Sequence, residues 1–468
     1  MRRLPVVCLS CLLLGTPAIA QAHQLIDLYH LAQTQDQTLA TALHARDAAV
    51  ETRPQALSAF LPQLNASANL QRQKIQYLST SSSFLRAGQN TFATNKSWTV
   101  SLSQTVWSFQ SYWQLREADV QVAAAENTYL QAQQDLVFRV AQAYFNVLAA
   151  KDTVRADLAA RDAFKGQFDE AQQRFKVGLS TITDVQQAQS SYDTSRATLI
   201  GDRRALANQR QALAVIVGRY TPQLDPLQET IPLTAPTPAS PDHWVGAAKQ
   251  DNFDLRNADL QWLTAQRDIH VQRSQFYPSL ALQGSIGQND SGGQLGTNQR
   301  DYAIGLSLNV PIFQGGRVFS QVRQAQATAE QDRSQYQLTL RTTEQQVRNA
   351  YEGVTSGIAS IRAFKQAVKS SQTALKSTQI GFRVGIQTEI DVLTAQQNLY
   401  NALKNYYQSR YDYINSVLTL KQLAGHLTQA DLVEVDNLLS SDGNDTPPQF
   451  PGLPERDMTT GAPAAPAS

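Results

Sequence analysis

The chain has 468 residues, of which 42% are hydrophobic and 17% are charged, and its formal net charge is +1. The near-zero charge argues against a nucleic-acid binder, because such proteins carry a strongly basic surface. No stretch after Arg3 reaches the roughly 18 consecutive apolar residues that indicate a transmembrane helix.

The first 22 residues are predicted to be an export signal peptide. Arg2 and Arg3 form a basic end, and an apolar core runs over residues 6–14. Two small-x-small patterns, at residues 18–20 and 20–22, fit signal cleavage. The alternative is an N-terminal membrane anchor, but the apolar run is too short for one.

Removing this signal would also remove the cysteines of the chain. Cys8 and Cys11 are the only two cysteines, and both lie inside the predicted signal. We therefore expect a mature protein without disulfides, without a thiolate-bound metal and without a lipid-anchored N-terminus.

Three sequence blocks recur in the same order in the two halves of the remaining chain. The pairs are 60–64 with 276–280, 98–106 with 302–310, and 175–185 with 382–392, at offsets of 216, 204 and 207 residues. Chance similarity in a chain rich in alanine and glutamine is the alternative, but the shared order favours a duplicated domain. We predict a first repeat over residues 23–218 and a second over residues 246–426.

Prolines cluster between the repeats and again at the end of the chain. Six fall from Pro222 to Pro241, and six more fall from Pro447 to Pro466. The first cluster predicts a linker over residues 219–245. The second predicts that the C-terminal segment, residues 427–468, ends in a tail without fixed structure.

Each repeat contains two long runs without proline. The first runs extend from Tyr112 to Gly178 and from Arg317 to Val384, and as single helices each would span about 100 Å. Gly178 and Gly385 mark predicted reversals, because glycine tolerates the left-handed conformation that ends helices. The thin apolar stripe of these helices favours a hollow assembly of coiled helices, and an ordinary solvent-exposed coiled coil is the alternative.

Four shorter stretches alternate between apolar and polar residues and are predicted to be strands. They lie at about residues 64–72, 97–107, 279–287 and 302–311. Their length of about 9–11 residues suits strands that cross an outer membrane. One such strand alone would favour a half-buried sheet of a soluble protein, but four in an exported chain favour the membrane. We therefore predict a mainly α fold with a small β part, in which each repeat is a helical hairpin plus two strands.

Four strands cannot close a barrel, and open sheet edges are not tolerated in lipid. Several chains must then share one barrel. Two copies would give eight strands with a filled interior, whereas three copies would give twelve strands with room for a pore.

Three motifs carry a resemblance to a known family. These motifs, at residues 177–185, 308–316 and 384–393, resemble those of the TolC family of outer-membrane channel-tunnels, and the likeness extends over residues 24–439. The resemblance is to the non-lipidated branch. It implies a homotrimer whose 12-strand transmembrane barrel, in outer-membrane lipid, continues into an α-helical periplasmic tunnel. It also implies an equatorial region built from the linker, residues 219–245, and the C-terminal segment, residues 427–468.

The same resemblance implies a function. The duct would passively export drugs and secreted proteins, in multidrug efflux and type I secretion. It would work with a periplasmic adaptor (membrane fusion) protein and an inner-membrane pump of the RND or ABC type.

The resemblance also places candidate residues at the periplasmic entrance. Asp184 and Asp391 match positions at the constriction, where three copies would present six carboxylates that attract cations. The alternative is that both acids only stabilise helix N-termini.

Three further positions depart from the family pattern. Phe382, Gln387 and Thr394 stand where members often carry a tyrosine, an arginine and an acid that latch the closed entrance. A replacement latch formed by Arg383, Lys176 or Glu389 is one interpretation, and a looser resting gate is the other.

The two hairpin tips are expected to expose apolar residues. These are Val177, Gly178 and Leu179 in the first repeat, and Val384, Gly385 and Ile386 in the second. We predict that they dock the helical hairpin of an adaptor, and simple packing of the turns is the alternative.

No enzyme motif is found. Six histidines are scattered without metal-ligand spacing, and neither a phosphate loop nor a nucleophile elbow occurs. We therefore expect no catalytic activity, no cofactor and no bound metal. The competing function is an exported coiled-coil tether or adhesin stalk without channel activity.

Overall fold

The computed structural model describes residues 24–76, 90–220, 223–292 and 296–440. The predicted signal with both cysteines, and the predicted tail beyond residue 440, lie outside these ranges. The elements are α1 (Gln24–Gln35), α2 (Gln37–Val50), α3 (Thr52–Ser58), β1 (Gln63–Gln76), β2 (Asn90–Ser108), α4 (Phe109–Lys176), α5 (Ile182–Val217), α6 (Pro241–Asp251), α7 (Phe253–Ser274), β3 (Ser279–Ser291), β4 (Thr297–Asn309), α8 (Arg317–Arg383), α9 (Glu389–Leu423) and α10 (Gln429–Asp436). The prediction of a mainly helical chain with a small sheet is confirmed.

The strands form one antiparallel sheet in the order β1-β2-β3-β4. Partners that lie directly opposite share a face, and one such row joins Ala66, Val100, Ile286 and Tyr302. Side chains alternate between the faces of a strand. One face of the sheet is therefore mainly apolar, whereas the other carries mostly serine, threonine, asparagine and glutamine.

The strands extend beyond the apolar alternation that predicted them. β1 and β2 remain paired from the Gln71–Asn95 pair to the Gln76–Asn90 pair, where the residues are largely polar. β4 begins at Thr297, before the predicted start at residue 302, and ends at Asn309. Backbone pairing does not depend on apolar side chains, so it continues where the alternation stops.

The two long helices, α4 and α8, contain 68 and 67 residues, so each is about 100 Å long. α4 packs on α5, and α8 packs on α9. Val347, Val354, Ile361 and Val368 are buried at intervals of seven residues on α8, which is the spacing of a coiled-coil seam. None of the helices in the described part of the chain has the continuous apolar length that crossing a bilayer requires.

The buried apolar core includes large side chains midway along α4 and on α9, which packs against it. Tyr144, Phe145, Tyr411 and Leu418 are almost fully buried there. The Tyr411 hydroxyl donates a hydrogen bond to the Asp152 carboxylate at 2.6 Å, which gives this buried polar group a partner. Burial and the negative charge of Asp152 raise the pKa of Tyr411 well above its ordinary value.

The segment between the repeats contacts the C-terminal segment. Leu227 and Leu439 form an isolated antiparallel bridge, and the Gln228 N–H donates to the Leu438 carbonyl at 2.9 Å. Helix α6 begins at Pro241, inside the range expected to be linker, because proline suits the first position of a helix.

Candidate functional site at the hairpin tips

The first hairpin reverses just after α4 through two backbone hydrogen bonds. The Leu179 N–H donates to the Arg174 carbonyl at 2.8 Å, and the Gly178 N–H donates to the Phe175 carbonyl at 3.0 Å. Gly178 has a φ of 78°. This is the Schellman arrangement, which satisfies the last carbonyls of a helix and requires a left-handed residue.

The second hairpin repeats this geometry. The Ile386 N–H donates to the Gly381 carbonyl at 2.8 Å, the Gly385 N–H donates to the Phe382 carbonyl at 3.1 Å, and Gly385 has a φ of 83°. A Cβ atom added at Gly178 or Gly385 would meet nothing within 4 Å. Glycine is therefore required at both tips by its backbone conformation and not by crowding.

Apolar side chains around both glycines are exposed in the single chain. Val177 and Leu179 are each 69% exposed, and Val384 and Ile386 are 65% and 79% exposed. Among the described residues these four side chains are not covered by another part of the chain. Both tips thus present an apolar surface at the end of a rigid helical pair.

Asp184 closes the start of α5 as half of a capping box. Its carboxylate accepts from the Thr181 N–H at 2.9 Å and from the Ser180 hydroxyl at 3.0 Å, while its own N–H donates to the Thr181 hydroxyl oxygen at 3.2 Å. Partial burial opposes ionisation, but these hydrogen bonds to the carboxylate lower the pKa of Asp184.

Asp391 has the same role at the start of α9. Its carboxylate accepts from the Thr388 N–H at 2.8 Å and from the Thr388 hydroxyl at 2.7 Å. These two bonds lower the pKa of Asp391, which is exposed. Both predicted entrance acids are therefore ionised helix caps, one at the same position beyond each reversal.

A cluster of side chains connects the two hairpins beside the tips. The Arg174 guanidinium of α4 lies over the Phe382 ring of α8, with 4.5 Å between Cζ and the ring centroid. Glu170 approaches the same guanidinium at 3.7 Å. This cation–π contact joins the first hairpin to the second. It involves Phe382, which stands where a tyrosine would be expected from the family resemblance.

Glu389 is the buried acid of this cluster. It is 2% exposed, and its Oε2 accepts a hydrogen bond from the Gln167 side chain at 3.2 Å. Its Oε1 is buried and has no hydrogen-bond partner among the described residues. Burial, with the nearby charges of Glu170 and Asp184, raises the pKa of Glu389 to about 7.

The other predicted entrance residues lie outside this inter-hairpin cluster. Gln387 and Thr394 are exposed, as are Lys176 and Arg383. Of the three candidates for a replacement latch, Glu389 is the one that joins the two hairpins in the described part of the chain.

Arg174 and Gln167 were not predicted as site residues. Gln167, Glu170 and Arg174 follow one another at intervals of three and four residues, which places them on one face of a helix. That spacing, so close to the reversal at Gly178, is the signal that could have identified them.

Comparison with known proteins relates this architecture to a family. The family model for the outer membrane efflux protein matches residues 28–219 and 244–426. The chain is 33% identical over 483 residues to the outer membrane protein TolC of Escherichia coli K12, covering 100% of this chain and 96% of that protein. It is 29% identical over 443 residues to the alkaline protease secretion protein AprF of Pseudomonas aeruginosa, covering 92% of this chain and 90% of AprF.

A solved structure shares the fold. The outer membrane protein VceC of Vibrio cholerae superposes with a TM-score of 0.71 at 22% identity, covering 86% of this chain and 96% of that one. The ranges that match the family model contain all four strands and both hairpin tips.

Proposed function

Because the chain belongs to the outer membrane efflux protein family, and is thus an exit duct of the bacterial outer membrane, we propose that three copies assemble into one channel for small molecules and secreted proteins. Membership of the family, and with it the resemblance to TolC, is confirmed by the match over most of the chain. The family consists of transport channels and not of enzymes.

The open edges of the sheet are the main observation that supports the proposed assembly. β1 and β4 are its edges, and each pairs with one neighbour only within the chain. On the apolar face Leu64, Ile304 and Leu306 are 71%, 83% and 68% exposed, which suits contact with lipid. Unpaired backbone groups at the edges cost several kcal/mol each in lipid, so β1 of one copy must pair with β4 of another.

The number of copies follows from the size of the barrel. Three sheets of four strands give twelve strands, enough for an open interior, whereas eight strands give an interior filled by side chains. In this assembly α4 and α8, with the helices packed on them, form a tunnel that extends about 100 Å into the periplasm.

Cysteine crosslinking between the sheet edges tests the assembly. Ser67→Cys on β1 and Ala303→Cys on β4 lie on the polar face of the sheet at its two edges. With a flexible bismaleimide, the variant that carries both cysteines should form covalent dimers and trimers and nothing larger. Both native cysteines lie in the predicted signal, so the mature chain adds no other thiol.

The control places both cysteines inside one chain. Ser101 and Ser285 are directly paired between β2 and β3, so Ser101→Cys with Ser285→Cys should crosslink while remaining at monomer size. Products of the edge variant that stop at dimer size would overturn the trimer.

We infer that the exposed tips dock a periplasmic adaptor, through which an inner-membrane RND or ABC pump drives export. The exposed apolar residues Val177, Leu179, Val384 and Ile386 support this inference, because an apolar surface of this kind is stabilised by a partner. The similarity to AprF, an alkaline protease secretion protein, supports an export role that includes proteins.

Valine at both tip glycines should reduce export. In the variant Gly178→Val, Gly385→Val, both Schellman turns require valine to adopt a left-handed conformation. Each substitution therefore costs about 1–3 kcal/mol. We expect dye efflux and adaptor co-purification to fall about tenfold or more, equivalent to about 1.4 kcal/mol, with the trimer retained.

Gly201→Val is the matched control for the tip variant. Gly201 lies within α5, and a Cβ there meets nothing within 4 Å. Export should remain close to wild type in this control. Undiminished export by the tip variant would contradict docking through these turns.

At the entrance, we propose that Asp184 and Asp391 of three copies form a ring of six carboxylates. Gln387 and Thr394 would line its approach. The contacts Gln167–Glu389 and Arg174–Phe382 would hold the two hairpins together in the resting state. The equivalent positions of the two acids beyond the two reversals, and the inter-hairpin location of both contacts, support this arrangement.

A further inference from the structure

The positive charges of the sheet are confined to one place. Every lysine and arginine of the four strands lies on the apolar face, toward the end farthest from the helices: Arg72, Lys74, Lys96 and Arg300. The register fixes the face, because Lys96 opposes Leu70 and Arg300 opposes Gln288, which in turn opposes Trp98. We call these four residues the basic rim.

The basic rim lies directly beyond an apolar band. On β1 the outward residues Leu64, Ala66, Ala68 and Leu70 precede Arg72 and Lys74. On β4 the outward residues Leu308, Leu306, Ile304 and Tyr302 give way to Arg300. By register Arg300 lies in the same row as Ala68, so on β4 the change from apolar to basic comes four residues nearer the helices than on β1.

The height of the apolar band matches a membrane. On β2 the outward positions from Trp107 to Trp98 are nine residues apart, which is about 30 Å along the strand. A strand tilt of about 45° reduces this to about 21 Å across the membrane, close to the apolar band of about 25 Å in outer-membrane barrels. The basic rim therefore lies at the level of the lipid head groups.

Trp98 and Tyr302 lie just inside the basic rim on the same face. Aromatic side chains of this kind mark the boundary between the apolar membrane and the head groups. The helices join the opposite end of the sheet. In the proposed channel the basic rim consequently faces the outer leaflet and not the periplasmic one.

The charges of the basic rim are available to a ligand. All four side chains are exposed, and in the described part of the chain none of them takes part in an ion pair. Asp290, opposite Lys96, is the one acid on this face of the described strands. On this face the described strands of each copy therefore carry an excess of three positive charges.

We propose that the basic rim binds the phosphate groups of a phosphorylated glycolipid in the outer leaflet of the membrane. Guanidinium groups bind phosphate oxygens in pairs and ammonium groups bind them as point charges, so two arginines and two lysines suit a ligand with more than one phosphate. Basic residues beside an apolar band bind anionic lipid in the same way elsewhere. The proposal rests on the proposed barrel, which places this face of the sheet in lipid.

The test compares two forms of one lipid. The full-length protein, purified in detergent, is titrated with bisphosphorylated lipid A and with dephosphorylated lipid A, and bound lipid is counted by native mass spectrometry. Wild type should bind the bisphosphorylated form about tenfold more tightly or better, a difference of about 1.4 kcal/mol. The variant Arg72→Gln, Lys74→Gln, Lys96→Gln, Arg300→Gln should lose this preference.

The control removes the same charges from the tunnel helices. The control variant has four exposed residues of α5 and α8 changed to glutamine: Arg203, Arg204, Lys365 and Lys369. It should keep the wild-type preference. Arg72→Lys with Arg300→Lys, which keeps the charges, should also keep most of it. If the fourfold rim variant fails to assemble, two double variants replace it. One carries Arg72→Gln and Lys74→Gln, the other carries Lys96→Gln and Arg300→Gln, and each should lose part of the preference.

Three results would overturn the proposal. The first is an unchanged lipid preference in the rim variants, and the second is an equal loss of preference in the tunnel control. The third is displacement of the lipid by inorganic phosphate at a concentration similar to that of the lipid, because this would indicate a site for free phosphate. Ion conductance in planar bilayers is measured on the same samples. A wild type that does not conduct would refute the proposed channel, whereas a conducting rim variant without lipid preference supports the lipid site.

Discussion

Block of the channel by polyvalent cations should weaken about tenfold or more, by about 1.4 kcal/mol, when Asp184 and Asp391 are both replaced by asparagine. In the proposed trimer six carboxylates at the entrance attract cations, as charged rings do in other cation-selective pores. Both acids have lowered pKa values, so at neutral pH all six are charged. Selectivity for cations over anions should fall with the block.

Asparagine is chosen because it separates charge from capping. Its side-chain oxygen can still accept the hydrogen bonds from Thr181 or Thr388, whereas alanine removes both the charge and the acid's half of the capping box. Block and reversal potential are measured in planar bilayers with a titrated trivalent cation.

A third capping box supplies the control for this prediction. Asp431 caps α10 in the same way, far along the chain from both tips, so Asp431→Asn should leave the block unchanged. Unchanged block in the variant with asparagine at both tips would mean that Asp184 and Asp391 serve only as helix caps.

Contact between the two hairpins at their tips should weaken as pH rises from about 4.5 to about 7. Glu389 has its pKa raised from 4.5 to about 7 in the folded chain. Between these values the packed state holds a proton that the separated state releases, so the packed state loses stability as pH increases. The packed state has lost about 3 kcal/mol of stability once the pH exceeds the pKa of Glu389 in the folded chain.

Hydrogen exchange checks this prediction directly. Protection factors, which remove the intrinsic pH dependence of exchange, are measured for amides near Gln167 and Glu389 across the pH range. Protection should fall with rising pH in wild type, and should stay high and nearly constant in Glu389→Gln, whose neutral side chain retains the contact with Gln167.

Glu352→Gln is the matched control, because Glu352 is an exposed acid on α8. This variant should keep the wild-type pH profile. A wild-type profile in Glu389→Gln as well would show that another group controls the packing of the tips.

The helical hairpins could be predicted from the sequence because their determinants are local. Gly178 and Gly385 stand where the chain must adopt a positive φ, and each Asp stands three residues after a capping threonine. Such short-range signals depend on a few neighbouring residues. The predicted reversals therefore coincide with the Schellman turns of the structure.

The contacts between the hairpins could not be predicted in the same way. Arg174 lies over Phe382, and Gln167 binds Glu389, across more than two hundred residues of chain. Their meeting depends on how α4 lies beside α8 and α9, which no local pattern specifies. The sequence identified Glu389 as one of three candidates for a latch, whereas the packing of the helices singles it out.

The near-equal lengths of α4 and α8, 68 and 67 residues, constrain how this chain can change. An insertion in one helix alone would leave one hairpin ending about 1.5 Å deeper per added residue, and it would separate Arg174 from Phe382. Inserted or deleted segments must therefore come in matched pairs, one in each repeat. On α8 they must also keep the seven-residue seam from Val347 to Val368 in phase, so lengths near whole heptads are favoured.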